Sequence, residues 1–210
     1  MRSRPAITVL GTLACALALA GSTGAATSPN LLANPGAEAG AGSSDGGVVK
    51  IPGWTVTGTF TAVRWDASCP GGCPTKSDYP RGGTNMFAGG NSASSRALQE
   101  VSVARFAAAI DRGAQRITLG AALGGWEGQH DAATVQASFL DRAGKPLGSA
   151  SVGGDTYGAR KGATAFVTLS RTAVLPKGTR AIRVTLLARR TDGQYDDAYF
   201  DDLVLRLIGA

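Results

Sequence analysis

The sequence predicts an all-β domain, a β-sandwich of jelly-roll type. Three observations predict it. Apolar and polar residues alternate with a period of two through the middle and end of the chain, and helical periodicity is nearly lacking. Gly is abundant, 30 of 210 residues, so turns with positive φ are available between many short strands.

The elements follow in order. Early strands are expected at Leu31 to Asn34, Trp54 to Thr57, Phe60 to Trp65, Asn85 to Ala88 and Ala97 to Val103. The single helical stretch, Ala104 to Asp111, is short. The clearest alternations come next: Ile117, Leu119, Ala121 and Leu123; Ala133, Val135, Ala137 and Phe139; and Ile182, Val184, Leu186 and Ala188. Each set marks a strand with one buried face. The turn Asp141-Arg-Ala-Gly144, with Lys145-Pro146, lies between two strands, and Leu175-Pro-Lys-Gly-Thr179 precedes another. The last strand is Ala198 to Leu205. Two Gly-, Ser- and Pro-rich stretches, Ala39 to Val48 and Ala67 to Gly83, read as surface loops. Nine or ten strands with no internal repeat fit one sandwich.

Residues 1–26 read as a secretory signal: Arg2 and Arg4 form a charged start, Ile7 to Ala20 an apolar run, and Ser22 to Ala26 a small-residue cleavage region. Cys15 lies inside the run, and Thr12 stands at the usual leucine position of a lipobox, which argues against a lipid anchor. The run is too short to span a bilayer, which takes about 20 residues. The expected product is secreted and soluble, a single β-sandwich domain over 27–210, large enough to bury a core. The chain has no room for an appended catalytic domain beside it.

Cys69 and Cys73, in Ser-Cys-Pro-Gly-Gly-Cys-Pro, are expected to form a disulfide in an oxidising compartment. Zinc would need about four soft ligands, and the chain has one His and no second Cys pair. Net charge is +6 and falls to +4 without Arg2 and Arg4, a weak argument for anionic partners. Arg160, Lys161, Lys177, Arg180, Arg189 and Arg190 are basic but lack interleaved aromatics, so no nucleic-acid partner is expected.

No nucleophile elbow, zinc-protease motif or phosphate-cradling loop is present. Carboxylate pairs such as Glu127 with Asp131, or Asp196 with Asp197, keep a glycan hydrolase or lyase open. The loop Trp126-Glu-Gly-Gln-His-Asp131 combines an aromatic platform with two-way hydrogen-bonding side chains, the composition a neutral sugar site needs. Trp126, Gln129, His130 and Tyr195 are therefore the candidate ligand-binding residues. The alternative is that Trp126 caps the sheet end while Gln129 and Asp131 hold a turn, and that Tyr195, like Tyr79 and Tyr157, is merely packed. Trp54 and Trp65 read as core.

Carboxylates at both ends of the chain, near Gly and Asn, are what calcium requires, although a solvated acidic turn gives the same pattern. The segments Asn30-Leu-Leu-Ala-Asn-Pro-Gly-Ala-Glu38, Ile51-Pro-Gly-Trp54 and Tyr199-Phe-Asp-Asp-Leu203 resemble the galactose-binding-like jelly-roll superfamily, which includes many carbohydrate-binding modules. Stretches around Leu123 to Asp131, Val135 to Gly144 and Arg190 to Tyr199 are similar to a group of exported bacterial proteins with that fold. The resemblance implies a structural calcium held by Glu38 and Asp201, with Gly36 and Asp202 as carbonyl or supporting ligands. Ala37 departs from the pattern, where Phe often precedes the acid. Sugar contacts vary across the superfamily, so no sugar-contacting residue follows from it.

The expectation is a secreted, non-catalytic carbohydrate-binding protein with one structural calcium, its partner a carbohydrate or cell-surface glycan. Alternatives are a structural or adhesive envelope protein that binds other proteins, and the small glycan hydrolase or lyase.

Overall fold

Ten strands build two antiparallel five-stranded sheets packed face to face. The computed structural model describes residues 27–209, so the secretory signal expected at 1–26 lies outside them. The strands are β1 (Thr55–Thr57), β2 (Thr61–Arg64), β3 (Asn85–Gly90), β4 (Ser94–Ser102), β5 (Arg116–Gly125), β6 (Ala132–Leu140), β7 (Pro146–Asp155), β8 (Ala165–Val174), β9 (Ala181–Arg189) and β10 (Asp196–Ile208). One sheet runs β1-β4-β9-β6-β7 and the other β2-β3-β10-β5-β8. A 3-10 turn at Ala104–Phe106 leads into α1 (Ala107–Asp111), where the sequence places its one helix, and a single further turn, α2 (Tyr157–Arg160), follows β7. No helix among the described residues is long and apolar enough to cross a membrane.

The alternation explains the core directly. Ala133, Val135, Ala137 and Phe139 of β6 stand opposite Ala188, Leu186, Val184 and Ile182 of β9, and all eight are buried. Burying side chains of this kind stabilises by about 1.5–3 kcal/mol for each of the larger ones. Across the sandwich they meet Ile117, Leu119 and Leu123 of β5 and Phe200, Leu205 and Leu207 of β10.

β10 departs from simple alternation in a way that matters for function. Its core-facing residues are Ala198 and Phe200, then Leu203, Leu205 and Leu207, so the parity changes once. The register against β5 slips between Asp201 and Val204, and Asp202 has φ of 46°, the signature of a bulge. Asp201 is thereby buried while Asp202 turns to solvent.

Leu31 to Asn34 do not form the expected strand. Side chains replace the ladder there: the Asn30 amide donates to the Leu203 carbonyl at 2.8 Å, its Oδ1 accepts from Leu205 N at 3.0 Å, and Ser28 Oγ accepts from Leu207 N at 2.9 Å. The N-terminal segment still runs beside β10, with backbone bonds from Leu31 N to Leu205 O and from Leu203 N to Pro35 O.

The stretch from Ala67 to Gly83 is more than a surface loop. The outer face of the second sheet carries Val63, Met86, Ala122 and Tyr199, too apolar to face water, and this segment covers it. Cys69, Cys73 and Tyr79 are buried beneath, and Cys69 and Cys73 are joined in a disulfide. Tyr79 stacks against Trp65 at 5.9 Å and Phe166 at 5.1 Å, and its hydroxyl donates to Asp202 at 2.6 Å.

Candidate functional site

β10 holds two acidic stations, Asp196-Asp197 at its start and Asp201 beyond Tyr199; Asp197, Tyr199 and Asp201 alternate onto the covered outer face of its sheet. They differ in what surrounds them.

At the second station, Glu38 and Asp201 come together from the two ends of the chain. A methyl group placed on Gly36 would lie 3.1 Å from Asp201 Oδ1 and 4.0 Å from Glu38 Oε1, and one on Gly82 would lie 3.0 Å from Asp201 Oδ2. Gly83 leaves no room for a side chain beside the Glu38 carboxylate. Glu38 accepts from the amides of Thr84 and Asn85 at 2.9–3.0 Å, so it also fixes the entrance to β3. Asp201 Oδ1 accepts from Asp202 N at 2.7 Å, whereas its buried Oδ2 has no partner. Burial, reinforced by the charges of Asp202 and Glu38, pushes the Asp201 carboxyl up to about 7, against an opposing pull from Lys76. Lys76 Nζ donates to the Gly83 carbonyl at 2.5 Å. The Asp202 carboxylate points elsewhere, to Tyr79 and Arg81.

An orphaned buried oxygen, two carboxylates and a glycine cradle fit a hard cation. Among the described residues no cluster of three or more His, Cys, Asp or Glu side chains is spaced to hold a metal ion. A cation here would take the rest of its shell from carbonyl oxygens such as that of Gly36.

At the first station an open cavity of about 150 Å³ is lined by Pro70, Gly71, Gln129, Gly193, Gln194, Tyr195 and Asp197. Three remote segments make it: the disulfide loop, the β5–β6 loop and the β9–β10 loop. Asp131 ties the last two together, accepting from the amides of Thr191, Asp192 and Asp197 at 2.6–3.0 Å. Both its oxygens thus hold loop amides in place.

Asp197 is 3% exposed and accepts from the Tyr199 hydroxyl at 2.5 Å. Burial pushes its carboxyl up to about 7, opposed by the Tyr199 hydrogen bond and raised further by Asp131. Asp196 is fully buried against Gly89 with Oδ2 unpartnered, and burial pushes it up to about 8. The same burial, with the charges of Asp197, Asp196 and Asp45, keeps the Tyr195 phenol protonated; its hydroxyl donates to the Gly46 carbonyl. Gln129 Oε1 is buried without a partner.

Of the four candidate ligand residues, Gln129 and Tyr195 line this cavity together. The Trp126 indole instead packs against Gly72, so closely that a Cβ there would collide with it. His130 lies on the other side of the loop: Nδ1 pairs with Asp155 Oδ2 at 2.6 Å, and the ring stacks on Tyr157 at 4.2 Å. Arg160, grouped in the sequence with a basic surface, is buried. Its guanidinium donates to the carbonyls of Glu127, Gln129 and Ala163, and burial lowers its pKa. Sequence reasoning did not find Gly71 and Gly193 as cavity walls, because no local signal connects segments so far apart in the chain. A larger surface hollow of about 230 Å³ between Thr57, Ser94 and Leu187 is lined by no carboxylate.

No protein-family model matches the chain, and no curated protein matches it in sequence. Solved structures match it in fold. The enzymatically active domain of tailspike protein 4 from bacteriophage CBA120 superposes with a TM-score of 0.52 at 15% identity, covering 85% of this chain and 21% of that one. The chain therefore spans about a fifth of the tailspike structure. A family 61 carbohydrate-binding module in complex with β-1,4-galactotriose gives a TM-score of 0.47 at 19% identity, with 85% and 98% of the two chains covered. The C-terminal family 22 carbohydrate-binding module of Clostridium thermocellum Xyn10B gives 0.43 at 12% identity, covering 77% and 89%. The architecture is a jelly-roll β-sandwich.

Proposed function

We propose that this chain is an exported, non-catalytic carbohydrate-binding protein whose ligand enters the cavity between the disulfide loop and the start of β10, and whose fold is tied by one structural calcium. The observation that carries the reading is the cavity itself: a small open hollow in which three loops bring Gln129, Gln194 and Asp197 together. Amide and carboxylate groups of this kind pair with sugar hydroxyls in both directions, while the Tyr195 side chain is buried behind them.

The calcium reading rests on Glu38, Asp201 and the glycines around them. Calcium would supply positive charge to two carboxylates brought together from opposite ends of the chain; Glu38 and Asp201 are its side-chain ligands, Gly36 a carbonyl ligand, and Asp202 a supporting residue. Export follows from the signal expected at residues 1–26, and the disulfide is compatible with it.

A glycan array probed with the chain, with and without a chelator, tests both parts. Binding of at least one glycan at millimolar concentration or below is expected in the calcium-loaded state, together with a lower thermal midpoint after chelation. No glycan bound in either state overturns the binding reading, and a midpoint unmoved by chelation overturns the calcium reading.

A further inference from the structure

The first sheet turns its outer face to solvent, and one corner of that face is cationic. Thr57 of β1, Arg96 of β4 and Leu187 of β9 stand opposite one another in a single cross-strand row. Their neighbour Ala97 points the other way, into the core. With Gly58, Ser94 and Ser95 the row lines the hollow of about 230 Å³. Gly58 lets the wall approach closely: its φ is 74°, and a Cβ there would lie 3.2 Å from the Ser94 carbonyl oxygen.

The lining is accessible and carries no negative charge. Arg96, Thr57 and Ser94 are exposed, and Leu187 adds half-buried apolar surface. Arg189, also exposed, stands opposite Ser94 and brings a second guanidinium to the same corner. Among the described residues neither Arg96 nor Arg189 forms an ion pair. The one acid on these three strands, Glu100, lies four residues along β4 from Arg96, about 13 Å away. That exceeds the screening length of about 8 Å at physiological salt, and Arg183 already holds the Glu100 carboxylate at 2.9 Å.

We infer that this hollow binds the carboxylate of an acidic sugar, a uronate residue, which the Arg96 guanidinium grips while the Thr57 and Ser94 hydroxyls pair with the ring hydroxyls beside it. The inference takes its ligand class from the carbohydrate reading above and places a second contact outside the cavity at the start of β10. A guanidinium's planar fork matches the two oxygens of a carboxylate, and hydroxyl side chains both donate and accept. Leu187 offers the apolar surface for ring C–H groups. Charge divides the two hollows: the one at the start of β10 presents Asp197, which disfavours an anion, and this one presents Arg96. It is smaller than the pocket of a drug-sized ligand, so the contact is to one sugar residue of a chain.

Titration calorimetry of the full chain with an α-1,4-galacturonate tetramer and its fully methyl-esterified form tests this. At low salt the acid should bind about three- to fivefold more tightly than the ester, the upper range of an exposed ion pair, and added salt should erase the difference. Arg96→Gln, at an exposed strand position, should bring the ratio close to one. Arg183→Gln removes the same charge from a guanidinium already held by Glu100, and should leave the ratio as it was. An equal loss in both variants would mean diffuse attraction by net charge and overturns the inference. Equal affinity for acid and ester, or no binding of the acid, overturns it too. Each of these outcomes leaves the carbohydrate reading standing; a blank glycan array overturns that reading as well.

Discussion

The two acidic stations of β10 are four residues apart and have nearly the same electrostatics, yet they are built for different work. Asp197 and Asp201 are both almost fully buried, and burial pushes both carboxyls up to about 7. Around Asp201 the neighbours are the protein's own backbone: glycines beside the carboxylates, Glu38 tied to the start of β3, and the N-terminal segment alongside. Around Asp197 the space is open, walled by three loops, two of which Asp131 holds in register. A raised carboxyl thus marks burial without charge compensation and nothing more specific; whether it belongs to the scaffold or to a ligand is decided by whether its remaining neighbours are backbone or empty volume.

That contrast predicts separable effects of mutation. The largest is expected at the scaffold station. Glu38→Ala removes the acceptor of the Thr84 and Asn85 amides, and hydrogen bonds to a charged group contribute roughly 1.5–3 kcal/mol. Urea unfolding should show that loss while glycan affinity, measured well below the new midpoint, stays within about twofold of the wild type. If affinity collapses together with stability, the two stations are not separate.

The disulfide sits between them in effect. Cys69→Ser with Cys73→Ser opens a five-residue loop, for which chain entropy gives about 2 kcal/mol. Because Pro70 and Gly71 wall the cavity, this change should lower glycan affinity as well as stability. Unaltered affinity would place the ligand elsewhere.

A third contrast is the pH dependence contributed by Asp196 and Asp197. Their folded carboxyls are raised to about 8 and about 7, above an unfolded value of about 3.9. The folded chain therefore keeps protons that the unfolded chain has released. The stability these groups contribute is complete below about pH 4 and is lost as pH rises to about 8. Asp131 strengthens the effect, and Arg190 and Arg160 oppose it. Thermal unfolding should show a midpoint that falls between pH 5 and pH 8, and Asp196→Asn should flatten the slope. A slope unchanged in that variant would show that the cluster is not its source.

Much of this architecture was legible in the sequence, and the exceptions have physical causes. Strands β5, β6 and β9 stand where period-two alternation places them, because one face of each meets the opposing sheet. The expected strand at Leu31 to Asn34 failed because Asn30 and Ser28 satisfy β10 with side chains, which hydropathy does not record. The Gly- and Pro-rich composition of Ala67 to Gly83 marked a loop but not the sheet face beneath it, which depends on Tyr79 finding Trp65 and Phe166. Gln129 and Tyr195 were drawn from composition as ligand groups, and they share a wall only because Asp131 clamps their two loops. The convergence of Gly71 with them is a tertiary event with no local trace.

The central claim is that the ligand enters at the start of β10 and not at the Glu38–Asp201 clamp. Amide-resolved NMR of the full chain, titrated with the tightest-binding neutral glycan of the array, tests it most directly. The account predicts shifts concentrated at Gly71, Gln129, Gly193, Gln194 and Tyr195, with Gly36, Glu38 and Asp201 unmoved. Shifts confined to the clamp, or to the hollow between Thr57, Ser94 and Leu187, would contradict it.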